Sequence, residues 1–178
     1  KYCKNKLLCE RYLDEHRTEL GFHYTIVRPY VTYDKKRIPY PIISKKSCWN
    51  LMDRVVNNKP ILMCGDGTQK AALTNTKDFA VGITGLFGNK NAYNEDFNIV
   101  GDYYYTWNDV VKEVEQYTGK KALVVSISND KINKMIPSFA EEIFYDKGLT
   151  HIFDNTKIKE YVPEFKSTID LHTGMLQT

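Results

Sequence analysis

Arginine is scarce in this 178-residue chain: Arg11, Arg17, Arg28, Arg37 and Arg54 carry all of it, and none follows Arg54. The other positive charge is lysine, scattered among acids to a net +3. That pattern reads as solvated surface and argues against the basic footprint of a nucleic-acid-binding protein. The 13 tyrosines add aromatic surface without an RNP-like pattern. Long apolar runs are missing too. Mean hydropathy is −0.47, and no stretch approaches the ~20 residues needed to cross a bilayer, which argues against a membrane protein. Cysteine is limited to Cys3, Cys9, Cys48 and Cys64, with no C-x-x-C pair. Reduced thiols in a cytoplasmic protein are expected. His16, His23, His151 and His172 lack ligand spacing, so no metal site is expected. No signal-peptide pattern opens the chain. Lys1 is not Met and already lies in helical sequence, which leads to the expectation of a piece of a longer protein.

What is present is α/β. Residues 2–20 suit a helix with an apolar stripe of Leu8, Cys9, Tyr12 and Leu13, closed by Gly21. Residues 22–28 are apolar almost throughout, as in a parallel strand covered on both faces, and Pro29 ends them. A helix feeding such a strand through a short Gly turn is one step of a wound α/β sheet. Residues 30–41 read as irregular, because Pro39 and Pro41 block regular structure. A helix is expected over 46–58, a strand over 61–64, a turn at Gly65-Asp66-Gly67, a strand over 69–74 and a helix over 76–87 entered near Asn75 or Thr76. Strands are expected over 97–100 and 121–126. Between them, Thr106 and Asp109 form a capping box for a helix that Gly119 closes. A mainly helical tail follows, with a turn starting at Asp154-Asn155 and ending at Pro163.

Several residues invite a chemical reading. Tyr2 and Lys6 are four apart and share a helix face, where an ammonium beside a phenol favours the phenolate needed for proton transfer near neutral pH. Roughly one or two Y-x-x-x-K matches are expected by chance in such a composition, so an exposed helix face is the competing reading. A second match, Tyr117 to Lys121, spans Gly119, where a helix should end. Gly82-x-x-Gly85-x-x-Gly88 imitates a dinucleotide-binding glycine loop, but it falls late in a helix. A smooth face for close packing explains it better. Gly65-Asp66-Gly67 serves as a turn or as a phosphate cradle. His23 and the tryptophans, Trp49 and Trp107, read first as core packing.

Taken in order, these motifs resemble the C-terminal portion of an extended short-chain dehydrogenase/reductase of the NAD-dependent epimerase/dehydratase family. They are Tyr2-x-x-x-Lys6, Gly21, Thr25-Ile26-Val27-Arg28-Pro29, Gly65-Asp66-Gly67-Thr68, Thr74 with Asp78-Phe79-Ala80, Phe97-Asn98-Ile99, Thr106-Trp107 and Asp154-Asn155-Thr156-Lys157-Ile158. The later ones are most similar to a bacterial subgroup of nucleoside-diphosphate-sugar epimerases.

The resemblance implies a fold: the last helix–strand step of a Rossmann-like doubly wound sheet over residues 1–41. Residues 42–178 then form a smaller mixed α/β substrate-binding domain, with some segments packing back on the first part. It also implies an activity: NAD- or NADP-dependent epimerase, dehydratase or reductase chemistry on a sugar or nucleotide-sugar. Tyr2 would be the acid/base, and Lys6 its electrostatic partner and a ribose ligand. Pro29, Tyr30 and Val31 would approach the nicotinamide, and residues 47–51 (including Trp49 and Asn50) and 69–74 (including Lys70 and Thr74) would line the substrate pocket. No membrane or nucleic-acid partner is implied, and a homodimer is compatible with it.

Two departures stand out. The nucleotide-binding half with its glycine loop and catalytic Ser or Thr is absent, so this polypeptide alone is expected neither to bind NAD normally nor to turn over. Ala71 stands where such epimerases commonly place a diphosphate-clamping arginine, leaving Lys70 and Lys147 as substitutes without the bidentate fork. A non-catalytic binding or RNA-associated regulatory protein on the same fold is the alternative.

Overall fold

The first helix, α1 (Tyr2–Leu20), is anchored through its polar side. Glu10 receives the Arg28 guanidinium at 2.7 Å, and Asp14 accepts from the Tyr24 hydroxyl at 3.1 Å. Its expected apolar stripe faces solvent: no α1 residue is buried, with Leu8 51% and Tyr12 57% exposed. Amphipathic spacing shows which residues share a face but not what covers that face. The computed structural model describes residues 2–43 and 49–177, so the expected helix start at 46–48, and Cys48, lie outside them.

The strand after α1 is shorter and later than its apolar run suggests. It is β1 (Thr25–Pro29), half-buried at best. Among the described residues it pairs only with β5 (Glu95–Ile99), in parallel, with Thr25 opposite Glu95 and Pro29 opposite Ile99. It is therefore not the doubly covered strand expected. His23 lies before β1 and is exposed, stacked on Tyr93 at 4.6 Å, rather than in the core.

The segment read as irregular contains β2 (Val31–Tyr33), which runs parallel to β4 (Lys70–Asn75). On its other side β4 pairs antiparallel with β6 (Tyr104–Thr106). A third sheet joins β3 (Ile61–Cys64) in parallel to β7 (Val124–Ile127). Helices α2 (Asn50–Val56) and α4 (Trp107–Thr118) cover the main core. There Tyr33, Ile38, Leu51, Val55, Met63, Trp107, Val110 and Val114 are buried. Burying side chains of this size contributes about 1.5–3 kcal/mol each.

A second core holds β5 between α3 (Thr76–Leu86) and α7 (Thr156–Tyr161), through Leu86, Phe97, Ile99, Ile158, Val162 and Phe165. The glycines of α3 make this packing possible. A Cβ at Gly85 would lie 2.3 Å from Val162 Cγ1, and one at Gly82 would lie 2.8 Å from Ile99 Cγ2. The tail adds α5 (Asn129–Met135), α6 (Pro137–Glu142), a π-turn over Ile143–Lys147 and α8 (Leu171–Leu176).

The capping box at α4 forms as expected. Thr106 Oγ1 accepts from Asp109 N, and Asp109 Oδ2 accepts from Thr106 N at 2.9 Å. Partial burial pulls the Asp109 pKa up, but the bonds from Thr106 and Lys112 outweigh it and hold the carboxyl below its ordinary range. A carboxyl whose folded pKa is depressed adds stability above its unfolded pKa of about 4, and that stability is lost as pH falls through the folded value. Thr106→Ala is therefore expected to cost about 1 kcal/mol at neutral pH. The gap should narrow on acidification by the share that the Thr106 Oγ1 bond to the Asp109 carboxylate carries, while the share of the neutral cap on Asp109 N persists, read by thermal melts between neutral pH and about pH 2. A constant offset across that range would contradict the assignment.

Candidate functional site

The polar anchors of α1 define where its N-terminal end lies. Glu10 contacts Arg28 and Asp14 contacts Tyr24, so α1 runs antiparallel to β1. Continuing back at about 1.5 Å per residue, one turn carries Lys6 and a second carries Tyr2 toward the end of β1, where the chain leaves as Pro29-Tyr30-Val31. Arg28 fixes this arrangement from both sides, since it also pairs with Asp96 of β5. Lys6 Nζ sits 5.8 Å from the Tyr2 ring centroid, and Tyr2 is 67% exposed. By contrast, the second Y-x-x-x-K match is broken: α4 stops at Thr118, Tyr117 donates to His172 O at 3.2 Å and Lys121 pairs with Glu115.

Beyond β1, Pro29 is exposed, Tyr30 is half-buried and Val31 belongs to the core. The Tyr30 ring lies 5.6 Å from His151 and 4.9 Å from Phe153. Burial, reinforced by the nearby Asp146 carboxylate, pushes the Tyr30 phenol far above its ordinary value, and among the described residues no partner meets its hydroxyl with full hydrogen-bond geometry. The sequence reading missed His151, Phe153 and Asp146 as site residues. Their one local signal was His151-x-Phe153, the spacing that puts two rings on one face of an extended segment.

Lys70 is exposed at the start of β4 and tied to this group through its backbone. Its carbonyl accepts from His151 N and its amide donates to Thr150 Oγ1, both at 3.1 Å. Thr74 is 1% exposed, and its hydroxyl accepts from Gly101 N at 2.8 Å, an internal structural bond. Trp49 is 46% exposed beside Asn50 at the start of α2, and among the described residues no ring contact joins it to the Tyr30 group. Lys147 is buried with its ammonium on Glu142. Its carbonyl accepts from Trp107 Nε1 at 2.8 Å, so its charge is already matched.

The Gly65-Asp66-Gly67 stretch is a turn whose amides are spent internally. Gly65 N donates to Ile127 O, Gly67 N to Cys64 O and Thr68 N to the Asp66 carboxylate. The amides a phosphate would need are taken. Hydrogen bonds from Thr68 hold the Asp66 carboxyl below its ordinary range. Cys3 and Cys9 are exposed and Cys64 buried, all three as free thiols. Burial pushes the Cys64 thiol up to about 11, which suppresses its thiolate. Among the described residues no helix is long and apolar enough to cross a membrane.

Comparison with known proteins places this geometry. A curated relative from Bacillus subtilis (strain 168), an uncharacterized UDP-glucose epimerase named YtcB, is 26% identical over 159 residues, covering 89% of this chain and 48% of its own. The chain therefore spans about half the length of the curated relative it matches. An epimerase from Methanothermobacter thermautotrophicus superposes with a TM-score of 0.74 at 15% identity, covering 97% of this chain and 47% of that one. A Bacillus cereus UDP-glucuronic acid 4-epimerase, in complex with UDP-glucuronic acid and NAD, gives 0.72 at 20% identity, covering 94% and 48%. A UDP-glucose 4-epimerase from Thermotoga maritima, with UDP-glucose, gives 0.69 at 21% identity, covering 95% and 48%. At these identities the likeness speaks for the fold, Rossmann-like at β1 and β5 with a mixed α/β part beside it. The family model matches residues 1–100, and the chain belongs to the NAD dependent epimerase/dehydratase family.

Proposed function

We propose that this sequence forms the acid/base and substrate-binding part of an NAD(P)-dependent nucleotide-sugar epimerase, dehydratase or reductase. The observation that carries the reading is the antiparallel docking of α1 on β1, which brings Tyr2 and Lys6 toward Pro29-Tyr30-Val31. Ligands of open α/β sheets bind beyond the carboxyl ends of the strands, and this is such an end. The similar epimerase structures with UDP-glucuronic acid, UDP-glucose and NAD support a nucleotide-sugar as substrate class.

In this reading residues 1–41 close a nucleotide-binding domain and residues 42–178 form the substrate-binding domain, with β5 returning to the first. The residues fit the nicotinamide end of the cofactor. Lys6 would hold the ribose, and backbone at Pro29, Tyr30 and Val31 would face the ring. They do not fit the pyrophosphate, because the space beside Gly82 and Gly85 is filled by Ile99, Phe165 and Val162. The bound cofactor supplies hydride chemistry. Tyr2 moves the proton at its phenolic oxygen, and Lys70, Trp49, Asn50 and Thr74 remain the substrate-side candidates.

The test joins this sequence to a nucleotide-binding half upstream of Tyr2 and supplies UDP-glucose or UDP-glucuronic acid with NAD. Cofactor binding by calorimetry and an epimerised or oxidised sugar by NMR are expected. A joined protein that binds neither NAD nor NADP sinks the reading.

A further inference from the structure

We propose that His151 is a substrate-positioning residue whose Nδ1 accepts a hydrogen bond from a ligand hydroxyl at the end of β1. The inference rests on the reading that this strand end is the substrate site.

The segment carrying His151 is held along its length. His151 N donates to Lys70 O at 3.1 Å, and Lys70 N donates to Thr150 Oγ1 at 3.1 Å. Phe153 is fixed at both ends of its peptide unit: its N donates to the Tyr104 hydroxyl oxygen at 3.0 Å, and its O accepts from that hydroxyl at 2.6 Å. The imidazole plane is held as well, parallel within 20° to Phe153 and tilted 58° against Tyr30.

One ring nitrogen is assigned by its partner. Nε2 lies 3.1 Å from Asp146 O. A carbonyl oxygen only accepts, so Nε2 carries the hydrogen, and in the neutral form of the ring the lone pair falls on Nδ1. The Asp146 carboxylate, 3.9 Å from the same Nε2, reinforces this orientation. Nδ1 has no hydrogen-bond partner among the described residues, and the side chain is 30% exposed. Here the fold fixes the ring on three sides and leaves an aimed acceptor beside the strand end, with Lys70 next to it. A hydroxyl donor, as on a sugar, is the complement of a neutral imidazole acceptor; a phosphate oxygen is not.

Two measurements test this. In the 178-residue chain, long-range nitrogen–proton NMR of the neutral ring is expected to show the Nε2–H tautomer with Nδ1 unprotonated, and the opposite tautomer overturns the proposal. In the protein joined to its nucleotide-binding half, His151→Phe keeps the ring contacts and removes the acceptor, while His151→Asn places an amide oxygen near the Nδ1 position. His151→Phe is expected to raise the KM for UDP-glucose about tenfold, the effect of one lost hydrogen bond, with NAD affinity unchanged. His151→Asn should stay within about threefold of the parent. An unchanged KM in His151→Phe, or equal losses in both variants accompanied by a fall in Tm, overturns the proposal. If the parent turns over no sugar nucleotide, the functional reading fails and this inference with it; a parent that turns over while His151→Phe keeps its KM overturns this inference alone.

Discussion

Tyr2→Phe is expected to lower turnover roughly 10²–10⁴-fold in the protein joined to its nucleotide-binding half, the range over which a positioned acid/base acts. NAD(P) affinity stays within about threefold, because the phenylalanine ring keeps the van der Waals surface of tyrosine and loses one oxygen. The argument is geometric. Tyr2 is 67% exposed and its hydroxyl makes no hydrogen bond among the described residues, so the substitution leaves packing there intact and any kinetic loss is chemical. Steady-state rates with calorimetric cofactor titration make the comparison. Retention of more than about a tenth of the parental kcat would remove Tyr2 as the proton carrier.

The second large effect concerns stability. Asp78 is 4% exposed in the first turn of α3, where the helix dipole favours a carboxylate. It accepts from Thr168 Oγ1 at 2.6 Å, Thr168 N at 3.0 Å and Ile169 N at 3.0 Å, fastening the C-terminal segment to a helix ninety residues earlier. Asp78→Ala leaves these donors without an acceptor and is expected to cost about 3–5 kcal/mol. Asp78→Asn keeps one accepting oxygen and should fall between. Urea unfolding of the chain measures both. A loss below about 1 kcal/mol would mean that Leu171 and Met175 dock the segment unaided.

What the sequence made legible is what depends on neighbours a few residues away. The Thr106–Asp109 box, the Asn75 cap of α3, the glycine-supplied turn at 65–67 and the helix stop at Gly119 are local decisions, and each appears where the residues put it. The packing face of Gly82 and Gly85 was legible for the same reason: late in a helix, glycine has no turn to make. What escaped depends on distant partners. The three residues of β2 become a strand only because Leu73, Thr74 and Asn75 run beside them, and Pro39 and Pro41 drew the reading toward disorder of structure. The α1 stripe carried no sign of whether anything would cover it. His151 was weighed as a metal ligand and set aside, whereas its interest comes from Tyr30, which lies 121 positions earlier in the sequence and 5.6 Å away in space.

The placement of Tyr33 bears on how this protein is made. Its hydroxyl donates to Asp170 O across 137 residues, and its ring lies where a Cβ on Gly174 would be. At about 5–20 residues per second, the ribosome delivers the partner about 7 to 27 seconds after the tyrosine. Through that interval the nascent chain holds β2 without its cover, so this strand emerges well before it is sealed. The burden of staying soluble during that interval therefore falls on β2, and a chaperone that meets this segment on the ribosome would meet it there.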